Sequence, residues 1–123
     1  MKKLKDWIPA ILIMVLIFGL SSIPGAIIDN AGLKRASIQI SGHFILFMFL
    51  TIAFYKPTKN VLISVLLTIL YAVTDEIHQM FTFLRSSSLF DIYVDSLGSI
   101  ISGLFLWKLL PQAPKKLRVW LKN

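Results

Sequence analysis

Acidic side chains, a histidine and an arginine are concentrated in one short part of the chain, between two apolar stretches. The segment begins with Thr-Asp-Glu-Ile-His-Gln at 74–79, continues with Arg-Ser-Ser-Ser at 85–88 and ends with Asp91 and Asp95. An ionisable side chain placed in the middle of a bilayer costs about 3 kcal/mol on insertion scales, so such groups usually serve a function. We therefore predict that the functional site lies in this segment.

The carboxylates of this segment carry more negative charge than Arg85 alone can offset. Solvent, protonation or a bound cation would relieve the remaining charge. A divalent metal such as zinc or manganese is therefore one alternative, since both accept histidine and carboxylate ligands. The ligands would be Asp75, His78, Asp91 and Asp95.

A phosphate site is a second alternative for the same segment. Arg85, together with the amides and hydroxyls of Ser86 to Ser88, offers the donors that a lipid or substrate phosphate requires. A nearby histidine and aspartate would then act as general acid and base. The spacing permits a metal or a phosphate and requires neither.

The composition predicts the class of protein that must position these groups. With 123 residues, 56% hydrophobic and 15% charged, the chain is too apolar for a soluble domain of this length. It has no cysteine, which excludes a disulfide or a thiolate nucleophile. Because one span takes about 20 residues, we predict an all-α integral membrane bundle of four transmembrane helices in a single domain, 1–123. The predicted spans are 7–28, 36–55, 61–80 and 89–107, followed by a basic cytoplasmic tail over 108–123. Within this tail, 115–122 is predicted to be a short amphipathic segment.

Lysine and arginine are distributed unequally between the predicted loops, and this bias sets the orientation. One side carries Lys2, Lys3, Lys5, Lys56, Lys59, Lys108, Lys115, Lys116, Arg118 and Lys122, and the other carries Lys34, Arg35 and Arg85. We predict a multi-pass protein of the cytoplasmic membrane with both termini cytoplasmic. Positive-inside retention and anionic lipids account for the net charge of +7, so membrane lipids, not nucleic acid, are the predicted partners. A cleaved signal peptide is an alternative for the first span.

Polar residues recur at helical spacing in the third and fourth spans, and residues three or four apart share one face of a helix. We expect the two polar stripes to face each other inside the bundle. For the serines, Thr68 and the glycines the simpler interpretation is packing between helices. The stripes are Ser64, Thr68, Tyr71, Asp75 and His78 in span three, and Asp91, Asp95, Ser99 and Ser102 in span four.

The residues 74–81, 85–88 and the spacing Asp91-x-x-x-Asp95-x-x-Gly98 resemble the signature of the VanZ-like family. The segments 22–25, Ser-Ile-Pro-Gly, and 42–44, Gly-His-Phe, are similar to its earlier motifs. The resemblance implies a small multispanning bacterial membrane protein, and the founding member is associated with resistance to the glycopeptide teicoplanin. It also implies a set of site residues: His43, Asp75, Glu76, His78, Gln79, Arg85, Asp91, Asp95 and Gly98.

The chain departs from the family pattern at two places. Gln39 and Ile40 stand where the family usually has an Asp-Lys pair, so the role of that pair is absent or moved to Lys34 or Arg35. Thr-Phe-Leu at 82–84 stands where a proline usually precedes the motif arginine.

Three functions of different classes are compatible with this pattern. The first is binding or modification of a cell-wall precursor lipid or glycopeptide target at the outer face of the membrane, which lowers drug access. The second is a membrane-embedded enzyme acting on a phospholipid or polyprenyl-phosphate headgroup. The third is an assembly partner whose polar stripes only hold helices together.

Overall fold

The computed structural model describes residues 2–21, 35–81 and 89–122, and every regular element within these ranges is helical. This confirms the predicted all-α class. The order of elements is α1 Lys2–Lys5, α2 Ile8–Ser21, α3 Arg35–Thr58, α4 Val61–Met80, α5 Leu89–Leu104, a π-helical turn Phe105–Leu109, a 3-10 turn Leu110–Gln112 and α6 Lys115–Lys122.

The centre of the bundle is formed by α3, α4 and α5, which pack against one another, while α2 packs on α3 and α4. Phe47 and Leu50 of α3 are fully buried at this centre. Ala10 and Ile17 of α2 are buried against them, and their spacing of seven places both on one face of α2. The remaining faces of α2 are apolar as well as exposed.

Most of the described outer surface of the bundle is apolar. Soluble proteins rarely expose contiguous apolar patches larger than about 600 Å². Two segments, Val61–His78 and Ile92–Gln112, are long and apolar enough to cross a membrane, and only 28% and 39% of them are buried. The described stretch Phe44–Thr58 is apolar but shorter. Exposed apolar side chains include Leu12, Leu16, Phe49, Leu62, Leu66, Leu70, Ile77, Leu97, Ile100 and Leu104.

The helix of the second predicted span, α3, ends later than the sequence predicts. Lys56 to Asn60 are expected to form a tight turn, yet α3 continues to Thr58 with Pro57 inside its last turn. Pro57 has no N–H to donate to the carbonyl of Ala53, but the turn is closed beyond it, since the Lys59 N–H donates to the carbonyl of Tyr55 at 2.8 Å. The Thr58 hydroxyl adds a bond to the carbonyl of Phe54 at 2.8 Å, which helps to hold this last turn.

The reversal of the chain is confined to two residues between α3 and α4. Lys59 adopts a positive φ of 55°, the left-handed conformation that ends many helices. Asn60 then caps α4, since its Oδ1 accepts a hydrogen bond from the backbone N–H of Ile63 at 3.0 Å. The backbone of Lys59 and the side chain of Asn60 therefore form the turn that connects α3 to α4.

The helix of the fourth predicted span, α5, also continues beyond its predicted end at 107. The π-helical turn and the 3-10 turn extend it to Gln112, with Pro111 at the start of the 3-10 turn. The sequence predicts that Pro111 and Pro114 break the helix, yet Pro111 lies within the 3-10 turn and the helical path ends only before Pro114. The carbonyl of Pro114 accepts the N–H of Arg118 at 3.1 Å in the first turn of α6.

The tail helix α6 is amphipathic, as predicted, and its apolar face packs on the bundle. Leu121 is fully buried in a cluster with Leu106 and Leu110. Lys56 donates to the carbonyl of Trp120 at 2.6 Å, and Lys59 donates to that of Leu121. Cations near the carbonyl end of a helix are stabilising. We refer to Lys56, Lys59 and α6 as the basic end of the bundle.

Candidate functional site

The two predicted polar stripes lie inside the bundle. Ser64, Thr68 and Asp75 of α4 are buried, and so are Asp95, Ser99 and Ser102 of α5. The helical period places each set on one face, and the packing of α4 against α5 turns both faces inward. The stripes divide into a hydroxyl cluster, namely Thr51, Ser64, Thr68, Ser99 and Ser102, and a carboxylate end, namely Asp75, Glu76, His78 and Asp95.

Thr51 of α3 connects the two stripes at the middle of the bundle. Its Oγ1 lies 3.0 Å from Thr68 Oγ1 and 3.0 Å from Ser99 Oγ. Thr68 donates its own proton to the carbonyl of Ser64 at 2.9 Å, and Ser99 donates to that of Val65 at 3.3 Å. Both hydroxyls therefore remain acceptors for Thr51, and so does the carbonyl of Phe47, which lies 3.0 Å from its Oγ1. Thr51 donates its single proton to one of these three oxygens at a time.

The rest of the hydroxyl cluster also satisfies backbone carbonyls. Ser102 donates to the carbonyl of Met48 at 2.9 Å and so joins α5 to α3. Ser64 donates to that of Asn60 at 2.7 Å, within reach of the Thr58 hydroxyl at 2.9 Å. Bonds of this kind hold apolar helices together in a membrane. The bonds of Ser99 and Ser102 cross between helices, in agreement with the packing interpretation, whereas Ser64 bonds to the cap of its own helix.

The carboxylate end lies far from the basic end along the same helices. Asp75 and Glu76 of α4 are 3% and 6% exposed, and Asp95 of α5 is 1% exposed. At 1.5 Å per residue, Asp75 lies about 24 Å from Lys59 along the helix axis. Each of these carboxylates takes part in a polar or ring interaction, so none is an isolated charge.

The histidine of the carboxylate end is held by a contact from α2. His78 is half-buried, and its ring stacks on Phe18 with 4.2 Å between centroids and 20° between planes. The Tyr71 hydroxyl donates to the carbonyl of Met14 at 2.6 Å, a second link between α2 and α4. Because Asp75 precedes His78 by three residues, the two side chains occupy adjacent turns of one face.

Gly98 determines how closely α5 approaches α3. A Cβ atom at this position would lie 2.8 Å from the carbonyl oxygen of Phe44 and 3.3 Å from Cγ of Met48. Backbone at that distance leaves room only for glycine. Gly98 lies three residues after Asp95, so the close approach that it permits also brings that carboxylate into the bundle.

The structure brings together part of the predicted site. Asp75, Glu76, His78 and Asp95 lie on facing helices, whereas Arg85 and the serines 86–88 lie outside the described residues. The backbones of His43, Gln79 and Asp91 lie in α3, α4 and α5, but their side chains are outside the described part of the structure.

The proposed metal site is only partly covered by the described structure. Among the side chains that the structure describes, no three or more His, Cys, Asp or Glu are grouped so as to hold a metal ion. The alternative with Asp75, His78, Asp91 and Asp95 as ligands includes Asp91, whose side chain is not described, and stays a prediction.

Two residues that contact the predicted polar stripes, Thr51 and Phe18, are not predicted from the sequence. Thr51 lies in the apolar half of its predicted span, 44–55, and a single threonine there gives no periodic signal. Phe18 has the same type as many lipid-facing residues, so its stacking on His78 has no signature in the sequence.

A family model described as VanZ/LLP1 matches residues 7–111. The chain belongs to the VanZ/LLP1 family. The match covers the hydroxyl cluster and the carboxylate end and stops before α6. No curated protein and no solved structure gives a match to this VanZ/LLP1 chain. Family membership, two candidate spans and the apolar outer surface together indicate a membrane protein.

Proposed function

We propose that this VanZ/LLP1 protein binds a cell-wall precursor lipid or glycopeptide target through its carboxylate end, at the outer face of the bacterial cytoplasmic membrane. Binding there would lower the access of glycopeptides such as teicoplanin to their target. The proposal places four spans in the membrane and both termini in the cytoplasm.

The charges at the two ends of the bundle support this orientation. Lys56 and Lys59 lie together with the tail helix, and Asp6 near the N-terminus is 3.7 Å from Lys56. Short loops rich in lysine are retained on the cytoplasmic side. The carboxylate end, about 24 Å further along α4, then lies within the outer leaflet.

The burial of Asp75, Glu76 and Asp95 inside an apolar bundle is the observation that carries the proposal. Hydroxyls already join the helices at the hydroxyl cluster, so packing alone does not require carboxylates. An envelope precursor presents amines, amides and hydroxyls near the outer membrane surface, and carboxylates accept hydrogen bonds from all of them. Among the family residues, His43, Arg85 and Asp91 would complete the site.

The proposal is tested by teicoplanin tolerance in a susceptible Gram-positive host. Wild type and Thr51→Val should both raise the inhibitory concentration of teicoplanin. Thr51 belongs to the hydroxyl cluster, which joins helices and takes no part in the proposed ligand binding. Asp75→Asn and Asp95→Asn should not raise it, although immunoblots show equal protein in the membrane. Equal tolerance with Asp75→Asn at equal membrane levels would contradict the proposal.

Native mass spectrometry with elemental analysis examines the ligand directly. Purified wild type should retain a lipid or metal stoichiometrically, and the folded His78→Ala, Asp95→Asn double variant should lose it. The Thr51→Val protein is the matched control. The same bound species on the double variant would place the ligand elsewhere.

A second candidate function is a membrane-embedded enzyme acting on a phospholipid or polyprenyl-phosphate headgroup. The observation that favours it is the placement of Asp75 and a half-exposed His78 on adjacent turns, an arrangement suited to acid–base catalysis. Overexpression should then change the lipid profile, and Asp75→Asn should abolish the change. An unchanged profile with altered drug tolerance supports binding, whereas loss of the variants from the membrane supports the assembly role.

A further inference from the structure

A groove of about 710 Å³ opens on the outer surface between α3 and the helix that continues from α5. Met48 and Ile52 form one wall, and Ile101 and Leu104 form the other. The volume is within the range of small-molecule sites, about 300–1,000 Å³. In a bilayer a groove with these walls faces acyl chains, so its shape and chemistry suit a hydrocarbon chain.

A hydrogen bond fixes the two walls of the groove relative to each other. Ser102 lies in the groove and donates to the carbonyl of Met48 at 2.9 Å, across the contact between α5 and α3. Because this donor is satisfied by the backbone, the groove offers a ligand almost no polar group along its length. The groove is therefore selective for an apolar chain.

The end of the groove coincides with the π-helical turn Phe105–Leu109. Such turns are rare and are frequently found at functional sites. Here Leu106 and Leu110 are buried in the cluster that holds α6, while Trp107 and Lys108 between them are exposed at the groove. The π-helical turn thus combines the docking of the tail with an outward-facing tryptophan and lysine.

Lys108 gives this end of the groove a positive charge. Its Nζ lies 5.0 Å from the centre of the Trp107 ring. Tryptophan is enriched at the level of lipid headgroups, and lysines at the inner surface attract anionic lipids. Leu106, next in sequence to Trp107, packs in the cluster with Leu121 of the basic end, so this end of the groove lies on the proposed cytoplasmic side.

We propose that the groove binds one anionic phospholipid of the inner leaflet. Its acyl chain lies along Met48, Ile52 and Leu104, and its headgroup phosphate contacts Lys108. This site is separate from the carboxylate end and shares with the proposed function only the orientation of the bundle. If the groove proposal is wrong, the proposed binding at the carboxylate end is unaffected, because the two proposals are tested with different residues.

Trp107 lines the groove, so its fluorescence reports the occupant. A variant with Trp7→Phe and Trp120→Phe keeps it as the sole tryptophan. Mixed vesicles carry bromine on the acyl chains of either phosphatidylglycerol or phosphatidylcholine. We expect brominated phosphatidylglycerol to quench Trp107 with about fivefold higher apparent affinity, the contribution of one lysine near an anionic surface.

Two substitutions separate the groove from general charge attraction. Lys108→Gln should abolish the preference for phosphatidylglycerol over phosphatidylcholine. Lys116→Gln, on the exposed face of α6, should preserve it. Equal quenching by both lipids, or a preference that survives Lys108→Gln, overturns the proposal. Weak quenching by both lipids, as from a second copy of the chain covering Trp107, also overturns it.

A second measurement avoids the tryptophan substitutions, which replace the indole rings that contact Phe54 and Lys56 with smaller phenyl rings. Native mass spectrometry counts the phosphatidylglycerol retained by otherwise wild-type protein. Wild type and Lys116→Gln should retain it equally, and Lys108→Gln should bind it about fivefold less tightly. Equal retention by all three proteins overturns the proposal.

Discussion

The hydroxyl cluster and the carboxylate end lie on the same faces of α4 and α5, yet their side chains are used differently. Thr68, Ser99 and Ser102 donate to carbonyls of the bundle, which any packed helix supplies. Asp75 and Asp95 are buried as deeply, but a carboxylate in an apolar bundle requires a donor, a proton or a cation. The comparison distinguishes hydroxyls that join helices from carboxylates to which we assign the proposed ligand binding.

Gly98→Ala should have the largest effect, because Gly98 lies between the two regions and serves both. The added methyl group would collide with the carbonyl of Phe44, and overpacking of this kind costs about 1–3 kcal/mol. Thermal unfolding followed by circular dichroism in detergent measures the loss. Gly19→Ala is the matched control, since no described atom lies within 4 Å of the new Cβ. Equal melting temperatures for the two variants would contradict the close approach.

Asp75→Asn and Asp95→Asn should affect ligand binding more than folding. Asparagine keeps the size of the side chain and removes the charge, and a charge-assisted hydrogen bond is about twice as strong as a neutral one. Once native mass spectrometry has identified the bound lipid, its affinity should fall about tenfold, which corresponds to about 1.4 kcal/mol. Titration of each variant with that lipid checks this. Unchanged affinity in both variants would assign the carboxylates to packing.

Thr51→Val should reverse that pattern, with weaker folding and unchanged ligand binding. Valine keeps the shape and removes the donor, while Thr68 and Ser99 keep their bonds to carbonyls. A hydrogen bond between membrane helices contributes about 0.6 kcal/mol. The melting temperature and the affinity, measured on the same preparation, decide the outcome. A loss of affinity equal to that of Asp75→Asn would remove the distinction between the regions.

Tyr71→Phe should have an effect on folding no larger than that of Thr51→Val. It removes the bond to the carbonyl of Met14 and keeps the ring, which packs near Phe47. We expect a loss of about 0.6 kcal/mol in the free energy of unfolding, because a single bond between α2 and α4 is lost. Circular dichroism melts beside the wild type measure it. A larger loss than that of Thr51→Val would show that α2 is attached mainly through this bond.

The sequence predicts helices correctly where a pattern is local. Apolar composition and helical spacing indicate the helix 61–80 and the start of the fourth helix at Leu89, and both are confirmed. Helix ends are less well predicted. The proline at 57 predicts a turn that begins too early, because bonds from the Thr58 hydroxyl and the Lys59 N–H close the last turn of α3 around it.

For the candidate site too, the sequence predicts what depends on local spacing and misses what depends on contacts between helices. The types and spacing of Asp75, His78 and Asp95 place these residues on helix faces, and the family match covers all three. The sequence does not indicate which helix supplies the partners. Phe18 and Thr51 resemble other residues of their spans, and their roles depend on how those helices are rotated.

By itself, the sequence determines that the chain is helical, apolar and polarised between a lysine-rich and a carboxylate-rich part. These properties follow from composition and from the 3.6-residue period, which act over one or two turns. The tertiary structure decides which faces meet, how Gly98 brings α5 against α3 and where α6 docks. Such contacts join residues far apart in the chain, and their geometry depends on packing several helices at once, which no local pattern contains.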